Sequence, residues 1–83
     1  MTEGTRLLSV SLTGGTAEEI KYLGGDVLDI MNGASGDLKV GFDAEFESGY
    51  ITIPEGGFYN GLKVIGSIFA ESEGGGTVSI VRR

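Results

Sequence analysis

Two groups of closely spaced oxygen-bearing side chains mark where this sequence could do chemistry. Asp26, Asp29 and Asn32, with Asp37 across a turn, would offer several oxygen ligands to calcium, which takes about six to eight. Their spacing matches no EF-hand loop, which needs alternating acids ahead of a fixed Gly and a closing Glu. The simpler role for these acids is to solvate strand ends and loops. Asp43, Glu45 and Glu47 alternate with Ala44, Phe46 and Ser48, a pattern that turns Phe46 inward on an extended chain and leaves the acids in water. Two carboxylates are also the minimum equipment of a polysaccharide hydrolase, which sets them roughly 5 to 10 Å apart across a cleft. An 83-residue chain has little volume for a deep cleft beside a core.

Other catalytic groups are scarce. There is no His and no Cys, which removes a Ser-His-Asp triad, a Cys-His pair and a histidine general base. The same absence removes disulfides and the usual ligands of structural zinc. No Gly-x-Gly-x-x-Gly leads from a strand into a helix and no Gly-Lys-Thr P-loop occurs, so the glycines cradle no phosphate. The expectation is a protein with no catalytic residue, no cofactor and no metal. A formal charge of −6, with six basic against twelve acidic residues, argues against nucleic acid, whose affinity comes from Lys and Arg neutralising phosphates. Arg82 and Arg83 read as a solvated, solubilising pair. Neither a run of about 20 apolar residues nor a basic-then-apolar leader is present, so no membrane span and no signal peptide are expected.

What remains is surface. Gly57-Phe58-Tyr59-Asn60-Gly61 sets two adjacent aromatics and an amide between glycines, and Tyr50 lies a few residues upstream. Adjacent side chains on a strand point oppositely, so at most one of Phe58 and Tyr59 enters a core. Tyr50, Phe58 and Tyr59 are therefore the candidate partner contacts, against core packing and sugar stacking as the alternatives. Absence of Trp weighs against sugar. Glu71 and Glu73 ahead of Gly74-Gly75-Gly76 read as an exposed hairpin loop.

The elements that must position these residues are short strands. Sixteen Gly and one Pro, with the glycines in pairs and a triple and no three-residue period, indicate tight turns between strands and not collagen. Thr5 to Leu12 alternates, with Leu8, Val10 and Leu12 on one face and Ser9 and Ser11 on the other. Thr13-Gly14-Gly15-Thr16 ends it. Asp37 to Asp43 repeats the pattern with Leu38, Val40 and Phe42 inward. Tyr50 to Ile53 buries Ile51 and Ile53 and stops at Pro54-Glu55-Gly56-Gly57, where Pro fixes one φ and Gly permits a positive one. Leu62 to Glu71 is a longer segment in which Gly66 suggests a bulge or bend, and Thr77 to Arg83 is the last strand, with Val78 and Ile80 inward.

Residues 16 to 31 have two readings. Thr16 and Glu19 have capping-box spacing, and Ile20, Leu23, Val27 and Ile30 fall at helical intervals. A helix would bury Gly24-Gly25 in its middle at about 1 kcal/mol each. The strand reading takes 19 to 23 and 26 to 32 as two strands or one long bent one, with Leu28 and Ile30 inward and Asn32-Gly33, then Ser35-Gly36, as the following turn. The expected fold is thus an all-β, small antiparallel sandwich or barrel, jelly-roll-like, of about six to eight short strands in one domain over 1 to 83. The alternative is α+β with a helix near 16 to 31.

The order of these segments also resembles a family. Gly25-Asp26-Val27-Leu28-Asp29-Ile30, Gly36-Asp37-Leu38-Lys39-Val40-Gly41-Phe42-Asp43, Tyr50-Ile51-Thr52-Ile53, Gly57-Phe58-Tyr59-Asn60-Gly61-Leu62-Lys63-Val64 and Gly76-Thr77-Val78-Ser79-Ile80-Val81 together resemble small β-sandwich virion proteins of tailed bacteriophages. The likeness covers residues 19 to 83 and consists of hydrophobic and turn patterns; the first strand matches least well. It implies a capsid-decorating, fibre-base or tail-associated subunit of the virion, made in the host cytoplasm. Such subunits are often trimers that contact copies of themselves and the major capsid protein, with no active site. The size of the chain agrees, since a domain this short buries only about 60% of its unfolded surface and gains from a partner.

Overall fold

The computed structural model describes residues 6–21 and 26–82. Thr5, Leu23, Gly24, Gly25, Arg83 and the side chain of Asp26, all part of the sequence reading, lie outside the described residues. Eight strands follow in order: β1 (Arg6–Leu12), β2 (Glu18–Ile20), β3 (Asp26–Ala34), β4 (Leu38–Gly41), β5 (Tyr50–Ile53), β6 (Phe58–Val64), β7 (Ile68–Ser72) and β8 (Gly76–Arg82). No helix occurs among the described residues, so the helical spacing of 16 to 31 resolves into two strands. Leu28 and Ile30 of β3 are fully buried, as the strand reading requires.

Every pairing is antiparallel, and the pairs nest: β4 with β5, β3 with β6, β2 with β7, β1 with β8. One long hairpin has been rolled up, with the loop 42–49 at its tip. Rolling brings β8 beside β3 and β7 beside β4. Two four-stranded sheets result, β1-β8-β3-β6 and β2-β7-β4-β5, which is a jelly roll. Only the β4–β5 connection stays within one sheet.

Alternation along each strand fills the space between the sheets. Leu8, Val10, Leu12, Val78, Ile80, Leu28, Ile30, Leu62 and Val64 come from the first sheet; Ile20, Ile68, Ala70, Leu38, Val40, Ile51 and Ile53 come from the second. Each fully buried aliphatic side chain contributes about 1.5–3 kcal/mol. The accessible surface is 4694 Å², against about 4,700 Å² expected of a folded monomer of 8.6 kDa. The sandwich therefore closes its own core, and a partner would bind its surface without having to complete it.

Three sequence expectations need correction. Leu62 to Glu71 is not one bent strand: Gly66, at φ 100°, turns the chain from β6 in one sheet to β7 in the other. Asn32-Gly33 is not a turn but the end of β3, and the turn is Ser35-Gly36 alone. Phe42 is not inward: β4 stops at Gly41, the backbone bends, and Phe42 is half exposed.

The four connections β1–β2, β3–β4, β5–β6 and β7–β8 crowd one end of the sandwich. A Cβ on Gly14 would lie 2.7 Å from the Glu73 carbonyl oxygen, and one on Gly75 would lie 2.8 Å from the Leu12 carbonyl oxygen, so backbone packs on backbone there. Two buried polar side chains lace the connections together. Ser72 accepts from the Gly75 amide at 2.8 Å through Oγ, while its carbonyl accepts from the Gly15 amide at 2.8 Å. Asn32 Nδ2 donates to the Gly36 carbonyl at 3.0 Å and the Ile53 carbonyl at 2.9 Å, and its Oδ1 accepts from the Ala34 amide at 2.9 Å.

We expect Asn32→Ala to cost about 2–4 kcal/mol, because it leaves three backbone groups without their partner and opens a small cavity. That should lower Tm by roughly 10–25 °C. Asn32→Asp should separate hydrogen bonding from volume. Its carboxylate would face two carbonyl oxygens, so burial and repulsion raise its folded pKa above the unfolded value of about 3.9. A raised folded pKa favours the folded state below the unfolded pKa and loses that advantage as pH rises. Chemical denaturation should therefore show a smaller deficit relative to wild type at pH 4 than at pH 7; an equal deficit would overturn the assignment of Nδ2 as the donor.

Candidate functional site

The jelly roll leaves two sides where the sheets meet edge to edge. On one, β1 and β2 are joined by the 13–17 turn; on the other, β5 and β6 are joined by Pro54–Gly57. In that second turn the Gly57 amide donates to the Pro54 carbonyl at 2.8 Å and Gly56 takes φ 77°. Both edge strands of this side carry sequence-predicted contact residues. Tyr50 opens β5 and is half exposed; Phe58 and Tyr59 open β6, 66% and 38% exposed. Phe58 thus lies outside the core, while Tyr59 is partly covered at its margin. Tyr59 stands opposite Ile30 on the inner side of an edge strand, and Phe58 stands opposite Met31 on the outer side.

These three residues share a side but not a patch. Phe58 and Tyr59 follow the glycine-rich turn, whereas Tyr50 follows the 42–49 loop at the other end of β5. Between the two sheets near Tyr50 lies an apolar crevice of about 230 Å³ lined by Val40, Phe42, Ser48, Gly49, Tyr50, Ile51 and Leu62. Phe42, misread from sequence as core, is one wall of it. Met31 and Ile65 were not singled out in the sequence. The register partner of Met31 and the end of β6 just before Ile65 depend on strand pairing, which local alternation does not reveal.

The loop 42–49 folds back over the outer face of the second sheet. Gly41 permits this, because a Cβ there would meet Phe46 Cδ1 at 2.8 Å and the Gly49 carbonyl oxygen at 2.9 Å. Phe46 is buried in that position at φ 56°, a left-handed conformation that costs a non-glycine residue free energy. Its ring packs edge-on to Tyr50 at 5.7 Å, and Lys39 Nζ lies 5.6 Å from the Phe46 centroid and 5.2 Å from that of Tyr50. Phe46 does turn inward, as its alternation suggests, but against this outer face and not into the core.

One acid of each cluster accepts hydrogen bonds that hold local structure. Asp43 holds the loop: its carboxylate accepts from the Ser48 hydroxyl, from the Glu47 amide at 3.0 Å and from the Ser48 amide at 3.1 Å. The Ser48 hydroxyl first, then these backbone amides, keep its pKa below the ordinary 3.8. Asp29 Oδ1 accepts from the Gly61 amide at 3.0 Å, and Asn32 is committed to the lacing above. Among the described residues no group of acids is arranged to hold a metal ion. A shallow groove of about 280 Å³ between Asp37, Lys39, Thr52, Glu71, Ser72 and Glu73 is polar, with three acids around one lysine.

Among solved structures, the chain is similar to protein NMB1881 from Neisseria meningitidis, with a TM-score of 0.58 and 23% identity over 98% of this chain and 75% of that one. At that identity the likeness concerns the fold. No protein-family model and no curated protein matches the chain.

Asp43 generates the prediction here. A lowered folded pKa gives stability that is present above the unfolded value and is lost as pH falls through the folded one. On acid titration by NMR, the Glu47 and Ser48 amide resonances should move together with the Asp43 carboxyl at a midpoint below 3.8. Asp43→Asn should abolish that transition. A midpoint at or above 3.8 would contradict the hydrogen-bonding scheme.

Proposed function

We propose that this chain is a non-enzymatic structural subunit that acts by protein–protein assembly through its β5–β6 side. Following the sequence resemblance, the assembly is a tailed-bacteriophage virion, where the chain serves as capsid decoration or as a fibre- or tail-associated part. Its partners are copies of itself, with a trimer favoured, and the major capsid or another virion protein.

The placement of exposed apolar surface is the observation behind this reading. Among the described residues, the exposed large hydrophobics are Leu7, Met31, Phe42, Tyr50, Phe58, Tyr59 and Ile65. Leu7 lies on the opposite edge strand. Tyr50, Phe58 and Tyr59 lie on β5 and β6, Ile65 directly follows β6, Met31 stands opposite Phe58, and Phe42 follows β4 and lines the crevice with Tyr50 and Leu62. Soluble monomers scatter such residues singly, and their concentration along one side marks an interaction surface. Sheet edges there also retain unpaired backbone groups that another chain can use. Jelly rolls serve capsid proteins and lectins alike, so the fold alone does not decide. A carbohydrate module needs a flat, free aromatic platform, whereas Tyr50 is engaged by Phe46 and Lys39.

Light scattering should give a mass near three times the 8.6 kDa of the chain. Phe58→Asp should return a single-chain mass with an unchanged β-type circular dichroism spectrum, because its side chain is exposed. A wild-type chain that stays single at every concentration and salt, and that is absent from purified virions, would defeat the proposal. Glycan-dependent melting shifts in such a monomer would favour the carbohydrate reading.

A further inference from the structure

The chain contains two Asn-Gly pairs, Asn32-Gly33 and Asn60-Gly61, and the structure treats them oppositely. Asn-Gly is the dipeptide most prone to cyclise, because glycine adds no side chain to shield its amide nitrogen. At Asn32 the reaction is blocked. The side chain is 2% exposed, and three hydrogen bonds hold its amide group. β3 is an inner strand paired on both sides, and a Cβ on Gly33 would lie only 2.7 Å from the Thr77 carbonyl oxygen. Rotation of that side chain onto its own backbone requires opening the centre of a sheet.

Asn60 has none of this cover. It is exposed on β6, an edge strand. The register with β3 slips at this point, from Leu62 opposite Leu28 to Asn60 opposite Asp29, so Gly61 is the bulged residue, at φ 83°. Bulges loosen the ladder locally, and edge positions open at lower free energy than central ones. A Cβ on Gly61 would have no neighbour within 4 Å, so nothing packs on the bulged residue from that side. Asp29 Oδ1 accepts from that amide at 3.0 Å, a single exposed hydrogen bond that must break for the reaction to begin.

We propose that Asn60 is a spontaneous deamidation site and that Asn32 is not. The Gly61 nitrogen attacks Cγ of Asn60; the new N–Cγ bond closes a succinimide ring. The Cγ–Nδ2 bond breaks, and Nδ2 leaves as ammonia with the proton given up by the Gly61 amide. Water then opens the ring at either carbonyl to give aspartate or isoaspartate. No oxidant, metal or enzyme takes part. The product puts a carboxylate directly opposite Asp29, an unfavourable like-charge cross-strand pair, and the isoaspartyl form adds a backbone methylene to the β6 edge. Each event moves the chain one unit further negative than its formal −6, so time would progressively alter the side assigned above to assembly.

The test is peptide mapping by mass spectrometry of the full chain after incubation in mildly alkaline buffer, natively and in urea. In the native protein the Asn60 peptide should gain the amide-to-acid mass change, with separate aspartyl and isoaspartyl forms, at least about tenfold faster than the Asn32 peptide. In urea the two rates should come together. Asn60→Ser should accumulate no acidic species natively. Equal native rates, faster reaction at Asn32, or reaction only in urea would each overturn the proposal.

Discussion

Chain crossing between the sheets without burying unpaired backbone is the constraint on which this fold depends. A hairpin rolled into two sheets must send its backbone across the core edge repeatedly, and four of those crossings meet at one end. Peptide groups brought that close exclude water, and each one left without a partner costs as much as a lost hydrogen bond or more. Asn32 and Ser72 answer this directly. Asn32 reaches β3, the β3–β4 turn and the end of β5 with one side chain, and its own amide and carbonyl pair with Gly57 and Gly56 at 2.9 and 3.0 Å. Ser72 does the same for the β1–β2 and β7–β8 connections. Glycines at 14, 33, 74, 75 and 76 let the strands of this knot approach closely enough for those bonds to form.

The opposite end of the molecule is built on another principle. Its one in-sheet connection, the 42–49 loop, is long because it is the tip of the rolled hairpin, and it has to be pinned from outside the core. Asp43 gathers the loop's amides, and Phe46 accepts a left-handed backbone so that its ring can cover Gly41 beside Tyr50 and Lys39. Stability at that end therefore comes from a small aromatic and cationic cluster on the outside of a sheet. Its burial leaves Tyr50 partly occupied and Phe42 displaced toward the crevice.

Much of this was legible in the sequence, and the reasons are physical. Period-two alternation found the inward residues of β1, β5 and β8 and the inward pair Leu28 and Ile30, because a buried strand face leaves that mark whatever its neighbours are. Glycine clusters located most of the turns. What could not be read was anything set by pairing between distant segments. Asn32-Gly33 has turn composition and yet ends a strand, because its side chain answers carbonyls of Gly36 and Ile53. Leu62 to Glu71 reads as one strand because the switch between sheets at Gly66 depends on where β3 and β4 lie. Phe42 continues the alternation of β4 and Phe46 alternates with acids, but the chain bends after Gly41, and the missing Cβ there makes room for Phe46 on the outer face.

The same logic explains why the β5–β6 side, and not the β1–β2 side, is left apolar. A rolled hairpin has two open sides, and each presents edge strands that invite unwanted pairing. β2 limits this by being only three residues long and bearing Glu18 and Glu19. β6 is seven residues long and exposes Phe58 and Tyr59, and its one disruptive feature is the bulge at Gly61. Charge supplies the remaining protection: at −6, free chains repel one another at low ionic strength, and that repulsion weakens once salt shortens its range to about 8–10 Å. On the proposed reading, that charge would keep dilute free chains apart while leaving the apolar side open to a partner of matching surface. In the proposed assembly, the bulge would interrupt sheet extension along β6 at Gly61, leaving the rest of that edge and its side chains to a partner.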